Sequence, residues 1–142
     1  TGSVLLEPEL NEFGDLDTCV TTLKFKNGVV GAIDNSRKAV YGYDQRVEVF
    51  GSGGMVNTEN NTPNRTRLAT ARAVEEELPL NFFMDRYIDS YVIEMKAFIE
   101  AVVGGKEPPV GGLDGRIPVV MGKAAKLSLE QNRPVHLSEI RA

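Results

Sequence analysis

Three clusters in this 142-residue sequence stand out, two dense in side chains that give and accept hydrogen bonds and a third that gathers aromatic residues and an arginine. They are Asp34-Asn35-Ser36-Arg37, Tyr41-Gly42-Tyr43-Asp44-Gln45-Arg46 and Phe82-Phe83-Met84-Asp85-Arg86-Tyr87. Neutral amides, tyrosine hydroxyls and an arginine can hydrogen-bond vicinal hydroxyls, so the first two clusters suit recognition of a polyol or of a protein partner. The alternative for both is a polar loop or a partly buried salt-bridge network. For the third cluster the alternative is core packing, with Asp85 as the N-cap of a helix.

Other chemistry is poorly supplied. Gly51-Ser52-Gly53-Gly54 follows a β-rich run, as a phosphate-binding turn does, but Val56 stands where the third glycine of a dinucleotide fingerprint belongs. The residues beyond it lead into asparagines and a proline rather than a helix, so the run reads as a turn between strands. His136 is the only histidine and sits between Val135 and Leu137, far from any nucleophile or carboxylate cluster, which assigns it a structural or exposed role. Cys19, the only cysteine, falls among the apolar positions of a strand and reads as a small core filler. With so few imidazoles and thiols a transition-metal site would need carboxylates, and Glu75-Glu76-Glu77 reads as a solvated charge run instead.

Composition narrows the class. Hydrophobic residues at 42% and charged residues at 25% are ordinary for a soluble globular protein of one compact domain, and no apolar run is long enough for a membrane helix. A formal net charge of -4, with sixteen Lys and Arg scattered along the chain, provides no basic stripe for nucleic acid. A lone cysteine excludes an internal disulfide and fits a reducing cytoplasm. The chain begins at Thr1, and Ser3-Val4-Leu5-Leu6 already reads as a strand, as expected of a segment that starts inside a longer protein.

These clusters need strands and helices to hold them. Polar and apolar residues alternate over positions 17–25, placing Cys19, Thr21, Leu23 and Phe25 on one face of a strand. Asn27-Gly28 predicts a type I′ hairpin turn, and positions 29–36 a returning strand. Positions 46–50 predict a further strand, positions 55–57 the start of another, and the asparagine-rich stretch 57–67 a turn. For positions 66–78 two strands are preferred, although 69–77 would also pass as a helix. Apolar residues at three- and four-residue spacing over positions 85–103, from Ile88 to Val103, predict a helix with one core-facing stripe, ended by Gly104-Gly105 and Pro108-Pro109. A second helix, capped by Asp114, should run to about Gln131 with Ile117, Met121, Ala124, Ala125 and Leu129 inward and Pro118 in or near its first turn. Pro134-Val135-His136-Leu137 should close the chain as an extended piece. The class expected is α+β, an open and mainly antiparallel sheet with helices packed on one face and no βαβ alternation for a Rossmann domain.

The chain also resembles a known family, the glucose-fructose oxidoreductase and inositol dehydrogenase superfamily, and within it the inositol 2-dehydrogenases. The resemblance is carried by Gly31-Ala32-Ile33-Asp34-Asn35-Ser36-Arg37, Ala39 through Gly51 with its Tyr-Gly-Tyr-Asp-Gln-Arg run, Arg86-Tyr87 and Tyr91, Gly111 to Leu129, and Arg133-Pro134-Val135. It covers nearly the whole chain. It implies that residues 1–142 form the C-terminal substrate-binding and oligomerisation domain of a two-domain NAD- or NADP-dependent enzyme that oxidises a polyol or sugar. The cofactor would be bound by an N-terminal Rossmann domain outside this chain, and none by the chain itself. Members of the family use a Glu-Lys-Pro lysine and an Asp-x-x-x-His motif for proton transfer. Here Lys106-Glu107-Pro108 has another order and position 132 is Asn132, so no catalytic residue is expected in this chain and it should be inactive alone. The resemblance implies substrate contacts from Asn35, Arg37, Tyr41, Tyr43, Arg86 and Tyr87, and a homodimer or homotetramer formed through the sheet; for Asp44 and Arg46 the alternative role is to hold the loop together.

Overall fold

A computed structural model describes residues 1–141. Two compact units divide the chain where composition suggests one domain: residues 1–38 with 100–142, and residues 39–99. In the first unit a three-stranded antiparallel sheet has the order β1 (Gly2–Ser3), β2 (Thr18–Lys24), β3 (Val30–Ser36). Register pairs Cys19 with Asn35, Thr21 with Ile33 and Leu23 with Gly31, so the predicted strand face exists, and Cys19, Thr21, Leu23 and Gly31 are its half-buried members. The hairpin turn differs from the expected type I′. Only Gly28 has a positive φ, of 88°, and its N–H closes the turn on Phe25 O at 3.1 Å. The loop is thus three residues long, Lys26 to Gly28, with glycine at the left-handed position that such loops require.

Asp17 reshapes the segment before this sheet. Its carboxylate accepts the backbone N–H groups of Leu5, Leu6 and Glu7 at 2.7 to 3.0 Å, so these donors turn inward rather than joining a ladder. The strand expected over Ser3 to Leu6 is therefore reduced to Gly2–Ser3, and a 3-10 turn over Pro8–Phe13 follows.

The second unit holds two ribbons. β4 (Val47–Gly51) pairs with β5 (Gly54–Thr58) across the Ser52-Gly53 turn, confirming the glycine-rich run as a turn between strands. β6 (Arg67–Ala69) pairs with β7 (Val74–Glu76), the strand alternative for that stretch. All pairing among the described residues is antiparallel, as the α+β class requires, with the strands shared among three small sheets.

Helix α1 spans Phe83–Val103, two residues earlier than expected, so Asp85 is a first-turn acid favoured by the helix dipole rather than the N-cap. Its end is as predicted. Gly105 has φ 60°, and Lys106 N–H reaches back to Ala101 O at 2.9 Å while Gly105 N–H meets Val102 O, a Schellman ending. Helix α2 spans Gly112–Gln131. Gly111 is its N-cap, and Asp114, one turn inside, accepts the Gly111 N–H at 2.8 Å. Pro118 therefore lies in the second turn, deeper than expected, where it deprives Asp114 C=O of its helical donor.

The buried apolar residues of the described chain are Ala101, Val120 and Ala124, all in the first unit. Of the predicted inward positions of α2, Ala124 is buried and Met121 and Ala125 are half-buried, whereas Ile117 and Leu129 are exposed and Val120, not predicted, is buried. The stripe of α1, from Ile88 to Val103, is exposed rather than facing a core. The extended piece expected over Pro134 to Leu137 ends at His136, and a 3-10 turn over Leu137–Glu139 follows, where Glu139 accepts the His136 N–H at 2.7 Å and is clasped by Arg133 at 2.7 Å.

Candidate functional site

The six candidate residues divide between the units. Tyr41, Tyr43, Arg86 and Tyr87 lie in the second, Asn35 and Arg37 in the first. In the second unit the loop 41–46 is built around one carboxylate. Asp44 accepts the Tyr41 hydroxyl at 2.5 Å, Arg46 Nε and Nη2 at 2.8 and 2.9 Å, and Asn60 Nδ2 at 2.5 Å. Asn60 in turn accepts the Gln45 N–H at 2.8 Å and Arg86 Nη1 at 3.3 Å, and Arg86 Nη2 donates to Gln45 O at 2.8 Å. The first turn of α1 and the loop after β5 thus grip the tyrosine loop from two sides.

Backbone contacts complete the grip. Tyr43 N–H donates to Leu80 O at 2.8 Å, and Gly42 at φ 132° lies so close to Pro79 that a Cβ would stand 2.6 Å from its carbonyl oxygen. Only glycine fits both the angle and the space. Tyr43 and Tyr87 meet edge to face with centroids 5.9 Å apart, and the Arg86 guanidinium lies 6.0 Å from the Tyr87 ring centroid.

Electrostatics follow from these contacts. Arg46, Tyr41 and Asn60 hold the Asp44 carboxyl well below the usual carboxylate range. The bond to Asp44 pushes the Tyr41 phenol up, burial adding to it. Asp44 is therefore an acceptor only, and the Tyr41 proton points at it, which leaves the Tyr41 oxygen lone pairs to accept from a ligand hydroxyl. The reading of Asp44 and Arg46 as loop-holding residues matches this arrangement.

In the first unit Asn35 lies opposite Cys19 on the half-buried face, with Cys19 Sγ 3.8 Å from its Oδ1. Arg37 donates through Nε to Glu7 at 3.0 Å, beside Lys38, and its backbone N–H meets Asp17 O at 2.6 Å. Asp17 is only 3% exposed. Burial alone would raise its carboxyl, but the N–H groups of Leu5, Leu6 and Glu7 and the Thr18 hydroxyl outweigh it and hold the group well below the usual range. Glu7, Asp17 and Asn60 were missed by sequence reasoning. Asn60 sits among Asn57, Asn61 and Asn64, all equally good turn formers, and nothing local distinguishes it.

The glycine-rich turn does not fit a dinucleotide fingerprint. It joins β4 to β5 instead of opening a helix, so no helix N-terminus stands behind it to receive a pyrophosphate. Among the described residues no three His, Cys, Asp or Glu side chains gather as metal ligands, and no helix is long and apolar enough to cross a membrane.

Comparison with known proteins agrees with this architecture. Residues 5–137 match the family described as "Oxidoreductase family, C-terminal alpha/beta domain". The chain is 48% identical over 139 residues to the myo-inositol 2-dehydrogenase of Thermotoga maritima, covering 98% of this chain and 42% of that protein. It is 30% identical over 141 residues to the scyllo-inositol 2-dehydrogenase (NAD(+)) of Bacillus subtilis, covering 99% of this chain and 41% of that protein. The crystal structure of a probable dehydrogenase from Thermotoga maritima superposes with a TM-score of 0.94 at 47% identity, over 99% of this chain and 42% of that one. The chain spans less than half the length of these relatives. It belongs to this oxidoreductase family, as its C-terminal α/β domain.

Proposed function

We propose that this chain is the substrate-facing and assembly domain of an NAD- or NADP-dependent, cytoplasmic enzyme that oxidises a polyol CH–OH, with myo-inositol converted to its 2-keto form. The observation that carries the reading is 48% identity, across 98% of the chain, to a protein named myo-inositol 2-dehydrogenase. The NAD(+) in the name of the Bacillus subtilis relative supports the cofactor. Hydride transfer needs a bound nicotinamide and a group to take the hydroxyl proton, and the cofactor would be held by a separate domain. The contribution of this chain is orientation. Tyr41 and Tyr43 in the second unit, and separately Asn35 and Arg37 in the first, are the candidate acceptors and donors for ring hydroxyls, and Tyr87 flanks Tyr43. Arg86 spends two of its nitrogens on Gln45 and Asn60, which makes it a support of the loop as well as a candidate contact.

Steady-state kinetics on the full-length protein test this. Tyr43→Phe and Arg37→Ala should raise KM for myo-inositol, and this chain alone should oxidise nothing. Wild-type kinetics in variants at all six positions would remove the substrate role.

A second reading is favoured by the β4–β5 ribbon, where Val47, Val49 and Val56 share one exposed face and Phe50, on the other, is 82% exposed. Such a surface suits burial against a second copy in a homodimer or homotetramer. Light scattering on the full-length protein checks it, and a monomer at high concentration would count against it.

A further inference from the structure

We propose that Asn60 is a positioning residue for polyol binding, acting through Asp44 to aim the Tyr41 hydroxyl; this rests on the reading of the chain as the polyol-facing domain. Asn60 lies two residues beyond β5, sixteen positions from Asp44 and twenty-six from Arg86. Its side-chain amide makes three contacts, and every one ends on the tyrosine loop or on the arginine that braces it. Nδ2 donates to Asp44 Oδ1 at 2.5 Å, while Oδ1 accepts the Gln45 N–H at 2.8 Å and Arg86 Nη1 at 3.3 Å.

The direction of each bond matters. Asp44 can only accept, so it needs donors on both oxygens. Oδ1 receives Asn60 and Arg46 Nε, and Oδ2 receives Tyr41 and Arg46 Nη2. Asn60 thereby fixes the rotation of the carboxylate about its own axis, and the carboxylate fixes where the Tyr41 proton points. With its proton committed, Tyr41 meets a ligand as an acceptor. A ring hydroxyl that can donate is then preferred over an ether or a deoxy position, because a site built to pair a hydroxyl strongly rejects an analogue lacking it. The Asn60 amide is half-buried, where such a network is worth more than at an open surface.

The diagnostic substitution is Asn60→Asp, which keeps the acceptor for Gln45 and Arg86, and the size, but replaces the donor facing Asp44 with a second carboxylate oxygen. In the full-length protein KM for myo-inositol should rise about tenfold, with kcat changed less than about twofold, as expected when binding common to ground and transition states is lost. In a Tyr41→Phe background the same substitution should have little further effect, because two residues acting through one bond are not additive. Melting temperature is followed throughout, and Asn60→Ala serves as a second variant. Failure of the wild-type protein to oxidise any polyol with NAD or NADP overturns the parent reading, and this inference with it. Wild-type activity with an unchanged KM in both Asn60 variants overturns the inference alone. So does an equal rise in KM with and without the Tyr41 hydroxyl, or a loss of folding in both variants, since Asn60 would then serve the fold.

Discussion

The Tyr41 hydroxyl donates to the carboxylate of Asp44 at 2.5 Å, three residues further along the same loop. That bond makes one carboxylate the fastener of a segment without secondary structure of its own, since Arg46 and Asn60 close on the same two oxygens.

Asp44→Ala leaves the Tyr41 and Asn60 donors without their acceptor. The expected loss is about 1–3 kcal/mol, the range for a hydrogen-bonded charged group, reduced toward the lower end because Arg46 is exposed. Urea unfolding of wild type and variant measures it, and an unchanged midpoint would show that the loop is held by its backbone contacts alone.

Asp17 sets an acid limit. Its carboxyl lies below the usual range in the folded state, so the stability it contributes is complete above the ordinary carboxylate pKa and is lost as pH falls toward the folded value. Asp17→Asn, which offers one acceptor oxygen and brings unwanted donors against Leu6 and Glu7 N–H, should lower the urea midpoint at neutral pH. The gap to wild type should narrow below about pH 4, where the unfolded aspartate binds its proton. A gap independent of pH would assign the effect to shape rather than charge.

Gly42→Ala meets both a φ of 132° and a carbonyl oxygen 2.6 Å from the new Cβ. Backbone strain of this kind costs about 1–3 kcal/mol. Thermal denaturation should show a clear drop in Tm, together with a raised KM if the flanking tyrosines contact the substrate. Gly105→Ala is the control: φ is 60° there but no atom lies within 4 Å, so a drop of about 1 kcal/mol with unaltered KM is expected.

Pro118→Ala restores an N–H for the Asp114 carbonyl in the second turn of α2. The position is exposed, so helix propensity should dominate and stability should rise by up to about 3 kcal/mol. Calorimetry decides, and a lower Tm would show that the proline sets the course of the helix start.

Short-range patterns were enough for most elements. Period-two alternation located β2, Asn27-Gly28 the return through β3, Gly51 to Gly54 marked the β4–β5 turn, and Gly104-Gly105 ended α1, because each depends on sterics and hydrogen bonds within a few residues. The errors were also local ones overruled from a distance. A strand predicted over Ser3 to Leu6 gave way to Asp17, ten to twelve positions later, and Asp114 and Pro118 moved inward once Gly111 took the cap.

By itself, then, the sequence determined an antiparallel α+β domain, the two helices and the loop of tyrosines, since periodicity and turn chemistry are properties of neighbouring residues. Tertiary structure alone decided that Asn60, one asparagine among several in its stretch, would join Asp44 to Arg86, and that Arg37 would pair with Glu7 thirty residues away. Such partners are chosen by where the folded backbone carries them, and residue type records only that a bond can be made, not with whom.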